Sequence, residues 1–188
     1  MDPSVAKRFR SGRACLDFAH TAATEYWIEP ELVYDPASLE RWLAYVLDLE
    51  GIDAQAEDVD AAHHLRKAIL HLARARAEGQ QFSATDIQTL NAFAAAAPPA
   101  PQLTAAGELA PQAVIASVGL SAIARDAIDL FTGPLGHRIR ICAAPDCELM
   151  FVDASRPGSR RWCSMQRCGN LSKLRTHRSP QLGASQVG

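Results

Sequence analysis

No stretch of this chain stays apolar for long enough to cross a membrane, and its 188 residues contain neither a glycine-rich phosphate loop nor a nucleophile elbow. These absences leave no membrane partner and give a nucleotide-dependent or hydrolytic enzyme little to work with. Nothing after Met1 resembles a secretory leader, because Lys7, Arg8, Arg10 and Arg13 are followed by Asp17 and His20 before a sufficiently long apolar run develops. The expectation is a cytoplasmic chain whose thiols stay reduced. Internal repeats and low-complexity segments are also missing, apart from a frayed-looking terminus from Ala184 to Gly188.

The residues that are present in an unusual pattern are the cysteines. Four of the five lie in the last quarter as two C-x4-C pairs, Cys142 with Cys147 and Cys163 with Cys168. A tetrahedral zinc ion takes four thiolate or imidazole ligands, and two short cysteine loops deliver them without a large core. Disulfides or free thiols are the alternative, and a reducing compartment weighs against the former. Four sulfur ligands fill the coordination shell, so no position remains for an activated water: the ion is structural, and no catalytic residue is expected. Cys15, inside Ala14-Cys15-Leu16-Asp17-Phe18, reads as a small buried thiol.

The net charge of −2 hides a split. From Arg138 to Arg178 there are nine Lys and Arg against three acids, a net of +6, whereas the remainder carries ten bases against eighteen acids, a net of −8. An acidic body bearing a basic terminal module fits a module that meets a polyanion. The other class that this pattern allows is a zinc-stabilised protein-interaction module whose cations serve solubility or an acidic partner.

Periodicity predicts a mainly helical (α+β) chain. The segment from about Ser11 to Trp27 has no clean period. Asp35-Pro36 opens a helix through Leu39, Trp42, Leu43, Val46 and Leu47 that ends by Gly51. A second runs from Asp58 to Glu78 with Ala62, Leu65, Ile69 and Leu72 on one stripe, closed by Gly79. Ser83-Ala84-Thr85-Asp86 resembles a capping box before a short helix through Ile87, Leu90 and Phe93. Gln102-Leu103-Thr104 and Glu108-Leu109-Ala110 can pair as a small hairpin. The apolar stretch that begins at Pro111 and includes Val114, Ile115, Val118, Leu120, Ile123, Ile128, Leu130 and Phe131 predicts a core helix stopped by Gly133-Pro134. His63, His64 and His71 read as solvated helix histidines.

These boundaries divide the chain into a helical domain over 1–136, a four-cysteine finger over 137–180 and a flexible tail over 181–188. The linker is short enough that the finger should dock on the body. Within the finger, Arg138-Ile139-Arg140-Ile141 alternates as a strand, Leu149 to Val152 supplies the returning strand, and a helix runs from about Met165 to His177. Hairpin plus helix around one zinc is a treble-clef-like arrangement. On that helix Asn170, Lys173 and His177 share one face, while Leu171 and Leu174 share another that can pack inward.

The string Cys163-Ser164-Met165-Gln166-Arg167-Cys168-Gly169-Asn170, preceded by Phe151-Val152-Asp153-Ala154-Ser155-Arg156 and Arg160-Arg161-Trp162, resembles the CGNR zinc finger. Upstream, Cys15-Leu16-Asp17-Phe18-Ala19-His20-Thr21 is similar to the L-D-x-x-N-T opening of the ABATE domain. Two positions depart from those patterns: Leu171 stands where the finger has Arg, and His20 stands where the domain has Asn before Thr. The resemblance implies a stress-linked bacterial transcription regulator whose finger binds DNA and whose helical domain senses an effector. The candidate DNA-binding residues are Arg138, Arg140, Arg160, Arg161, Arg167, Asn170, Lys173, Arg175, His177 and Arg178. Asp17, His20 and Arg66 are candidates for lining an effector pocket. A palindromic target would imply a homodimer.

Overall fold

The computed structural model describes residues 11–22, 31–48, 51–97, 102–108 and 114–170. Its elements in chain order are α1 (Ala14–Ala19), α2 (Pro36–Leu47), β1 (Ile52–Asp53), α3 (Ala56–Glu78), α4 (Ala84–Ala94), β2 (Val114–Ile115), α5 (Ala116–Thr132), a 3-10 turn (Gly136–Arg138), β3 (Ile139–Ile141), β4 (Met150–Val152) and a π-helical turn (Met165–Gly169). No helix among the described residues is long and apolar enough to cross a membrane.

The helices begin and end where their backbone groups find partners. At the start of α2, the Asp35 carboxylate accepts the Ser38 N–H at 2.7 Å and the Ser38 hydroxyl oxygen accepts the Asp35 N–H at 2.9 Å. With Pro36 preset for the first turn, this is a reciprocal cap. Asp48, left-handed at φ 52°, ends α2 before Gly51. Gly79, at φ 70°, ends α3, and the Gln80 N–H returns to the Ala75 carbonyl at 2.8 Å. At α4 the Ser83 hydroxyl accepts the Asp86 N–H at 3.4 Å. The Asp86 carboxylate lies 3.2 Å from His71 Nδ1 on α3, so the expected box is a one-sided cap.

Helices α3 and α5 form the centre of the body, with α1, α2 and α4 packed around them. Leu65, Ile69 and Leu72 from α3 meet Leu120, Ile123 and Leu130 from α5, all essentially inaccessible to solvent. Gly119 lets α5 approach α2, since a Cβ there would stand 3.0 Å from a Leu43 methyl. The segment without a clean period contains α1, whose Cys15, Leu16, Phe18 and Ala19 are all buried; residues 23–27 lie outside the described residues.

The long apolar stretch is helical only from Ala116. Val114 and Ile115 instead pair in parallel with Ile52 and Asp53, joining the start of α5 to the start of α3. In the expected hairpin at 102–110, the described part is a tight turn: the Thr104 N–H donates to the Glu108 carbonyl at 2.8 Å, around Gly107 at φ 81°. Leu109 and Ala110 lie outside the described residues.

The antiparallel hairpin β3–β4 pairs Ile139 with Val152, Arg140 with Phe151 and Ile141 with Met150. Its two faces serve different cores. Ile139, Met150 and Val152 join the core of the helical body, whereas Phe151 packs with the cysteines. The terminal module is therefore docked on the body, as the short linker requires.

Candidate metal centre

The two C-x4-C loops converge. The Sγ atoms of Cys142, Cys147, Cys163 and Cys168 lie within 4.8 Å of one another, with Cys147 to Cys163 at 3.7 Å and Cys163 to Cys168 at 3.5 Å. A disulfide would need about 2.05 Å, and all of these cysteines are free. Zinc–sulfur bonds of about 2.3 Å in a tetrahedron separate the sulfurs by roughly 3.8 Å, so the donor set matches one zinc ion in spacing and in chemistry.

The surrounding structure fixes each loop. The Cys142 N–H donates to the Leu149 carbonyl at 2.9 Å, and the Cys147 N–H closes its loop on the Ala144 carbonyl at 3.1 Å. The Ala143 N–H reaches across to the Arg161 carbonyl at 2.9 Å, tying the first loop to the segment that carries the second. The Cys163 N–H points at Cys142 Sγ, 3.4 Å away, in the manner that stabilises a thiolate. Phe151, Leu149 and Trp162 wall the cluster off from water. Gly169 packs closely under its neighbours: a Cβ there would lie 2.8 Å from Met165 Sδ and 3.2 Å from the Trp162 ring.

Crowded sulfurs resist carrying several negative charges together. Hydrogen bonds from the Cys147 and Cys163 thiols hold Cys142 well below the usual thiol range, and contacts with Cys142 and Cys147 push Cys163 up. Burial raises Cys168. A divalent cation removes the conflict by binding all four as thiolates, which is the role zinc fills in such a site.

The arginines expected to face DNA hold positions of their own. Arg138 Nη1 donates to the Ser155 carbonyl at 2.9 Å, and Arg140 Nη1 donates to the His137 carbonyl at 2.8 Å. Arg160 donates from Nε to the Trp162 carbonyl at 2.8 Å and from Nη2 to the Cys163 carbonyl, with its guanidinium 4.7 Å above the Phe151 ring. Arg160 therefore braces the second cysteine loop. Arg161 is exposed and stacks on Trp162 at 5.0 Å. Buried Asp153 organises the loop between the strands, accepting the Ser155 N–H at 3.0 Å and the Arg160 N–H at 2.9 Å. The Ser155 hydroxyl holds that carboxyl below its usual range.

The expected helix from Met165 to His177 begins as the π-helical turn, in which the Gly169 N–H donates to the Ser164 carbonyl at 3.0 Å. Asn170 is exposed at its end. Leu171, Lys173, Leu174, Arg175, His177 and Arg178, and the side chain of Arg167, lie outside the described residues, as does the tail at 181–188.

Asp17, His20 and Arg66 each have polar partners of their own among the described residues. Asp17 accepts the Ser11 N–H at 2.9 Å, and burial raises its carboxyl to about 6. His20 accepts the Met150 N–H on Nε2 at 2.9 Å, and burial lowers its imidazole to about 4. Arg66 forms a two-pronged pair with the Glu31 carboxylate and also donates to Thr21 Oγ1 at 3.3 Å. Of the three, Arg66 lines a pocket of about 340 Å³, together with Ala19, Ala22, His63, His64, Lys67 and Leu70. His63 Nε2 lies 2.7 Å from the Val33 carbonyl, and burial pushes the Cys15 thiol well above its usual range, consistent with a core position.

Sequence reasoning missed the ties between body and finger. The Val152 N–H donates to the Ser11 carbonyl at 2.7 Å, Arg74 pairs with Glu148 at 2.9 Å, and His20 holds Met150. No local pattern signals these ties, because they join residues far apart in the sequence.

The family model for the ABATE domain, described as "Putative stress-induced transcription regulator", matches residues 12–134, and that for the CGNR zinc finger matches residues 138–181. No curated protein matches the chain. The first match covers most of the chain, and the second contains four cysteines placed to hold one ion: the chain belongs to the ABATE family and carries a CGNR zinc finger built on a single structural zinc.

Proposed function

We propose that this protein is a transcription regulator that binds double-stranded DNA through its basic finger. The observation that carries this reading is the charge of the terminal segment, +6 over 138–178 against −8 elsewhere, set on a scaffold held by zinc. Phosphate contacts supply affinity and salt dependence, and a helix face reaching base edges supplies sequence preference. Arg161 and Arg156 are exposed cations of the described surface and suit phosphate contact. Asn170, Lys173 and His177 are the residues for base edges. Arg138, Arg140 and Arg160 shape the loops first and offer only their remaining N–H groups to DNA.

The experiment is a fluorescence-anisotropy titration of duplex DNA at several salt concentrations. The zinc-loaded protein is expected to lose affinity steeply with salt, and Arg161→Ala to flatten the slope by about 0.9 for its one phosphate. Arg161 suits this test better than Arg160, whose removal would disturb the Cys163 loop. Binding without salt dependence, or unchanged by Arg161→Ala, favours the protein-interaction module. The body's role in this reading is to respond to a small effector, with the pocket beside Arg66 as its site. A homodimer on a palindromic target completes it, and light scattering with and without duplex checks the stoichiometry.

A further inference from the structure

Strand β4 is a shared wall with three occupied sides. Its Phe151 face lies against the cysteines, its Met150 and Val152 face lies against the body's core, and one edge pairs with β3. The remaining edge presents the N–H groups of Met150 and Val152. Both are taken by the segment that opens the body: Met150 by His20 Nε2 at 2.9 Å, Val152 by the Ser11 carbonyl at 2.7 Å. Gly12, at φ 94°, brings that segment within 3.6 Å of the Val152 side chain for a Cβ built there.

His20 is 4 % exposed and Met150 is 1 % exposed, so water does not replace this bond freely. A buried N–H without an acceptor is costly, and an edge strand is held only as well as its edge is paired. Met150 stands three residues beyond Cys147, and the intervening Leu149 carbonyl takes the Cys142 N–H at 2.9 Å. Glu148, next to Cys147, is held by Arg74 of α3 at 2.9 Å. The first cysteine pair is therefore anchored through β4 and its approach to residues of the body.

We propose that His20 is a positioning residue for the zinc centre: by accepting the Met150 N–H it seats β4 so that the sulfurs converge, and it couples zinc affinity to the fold of the helical body. Coupling is reciprocal, so whatever shifts α1 or α3 alters zinc affinity, and zinc in turn steadies α1. The proposal does not depend on DNA binding.

The test measures zinc affinity of the full chain at neutral pH by competition with a chromophoric chelator. His20→Leu removes the acceptor and is expected to weaken zinc roughly tenfold or more, in the range that lost supporting hydrogen bonds produce around metal sites. His20→Gln carries Oε1 to the position of Nε2, offers it to the same N–H, and is expected to restore affinity to within about threefold of the parent. A general packing defect would not be rescued by a polar side chain that lacks the ring. Folded His20→Leu with parental affinity overturns the proposal, as does His20→Gln as weak as His20→Leu. Should His20→Leu not fold, Arg74→Gln tests the same coupling from the exposed side. A several-fold loss of zinc affinity there supports the coupling, and none overturns it.

Discussion

Burial moves two groups of α1 and its C-cap in opposite directions, His20 down to about 4 and Asp17 up to about 6. For His20, burial is the main cause, with Arg74 adding repulsion; the neutral ring is favoured in the folded chain, so its contribution is whole above the ordinary value of about 6.5 and drains as pH falls toward 4. For Asp17 the protonated form is favoured, so stability is lost as pH rises through 6 and regained below it. The two trends oppose each other between roughly pH 4 and 6.5. Replacing His20 by Gln removes one of them. The stability difference between His20→Gln and the parent, from urea unfolding, is expected to shift in favour of the variant by about 2 kcal/mol between about pH 7.5 and 5. Protonation of the metal thiols affects both proteins alike and cancels in that difference. A pH-independent difference would show that the ring is not buried neutral. At this scale the ligands were legible because cysteine spacing is local, whereas the employment of Arg138 and Arg160 was not. A sequence shows that a guanidinium is charged but not which carbonyl, two or seventeen residues away, its donors will reach.

Helices whose caps and stripes are written locally were legible: α2 from Asp35-Pro36, α3 from its stripe and Gly79, α4 from Ser83. Helix α1 was not, because four of its six residues are buried, and a short segment enclosed on several sides has no polar face to set a period. The start of α5 was misjudged for a related reason. Val114 and Ile115 continue the apolar run, yet β-branched residues beside the Ile52 backbone gain a strand pairing that no one-dimensional pattern reveals. The cap of α2 gives the element-scale prediction. Ser38 is buried and its hydroxyl accepts the N–H groups of both Tyr34 and Asp35, at 3.0 and 2.9 Å. Ser38→Ala is expected to cost about 1–2 kcal/mol, seen as a fall of roughly 2–8 °C in the thermal midpoint for a chain of this size. No measurable fall would mean that the hydroxyl contributes nothing beyond what solvent supplies.

For the whole molecule, the boundary at 136 separates two sequence patterns but does not divide the two cores, since the hairpin beyond it contributes to both. Zinc replaces the interior that the small finger lacks, on the Phe151 side of the hairpin, while Ile139, Met150 and Val152 on the other side complete the interior of the helices. An independent finger would melt alone on chelation and leave the helical signal untouched. This one should not. With the ion removed, the hairpin loses its fixed shape, and the three apolar side chains are no longer held in the body, a loss of up to about 1.5–3 kcal/mol for each one fully released. Partial retention of the hairpin reduces that sum to a few kcal/mol, and at about 2–4 °C per kcal/mol the helical transition followed by far-ultraviolet circular dichroism should fall by roughly 5–15 °C. Cys163→Ser should reproduce the fall without chelator, since three sulfurs leave the ion's shell open. If stoichiometric zinc can be stripped while the helical midpoint stays within a degree or so, the hairpin's contacts with α3 carry no stabilising weight, and the body and finger are two proteins joined by a linker.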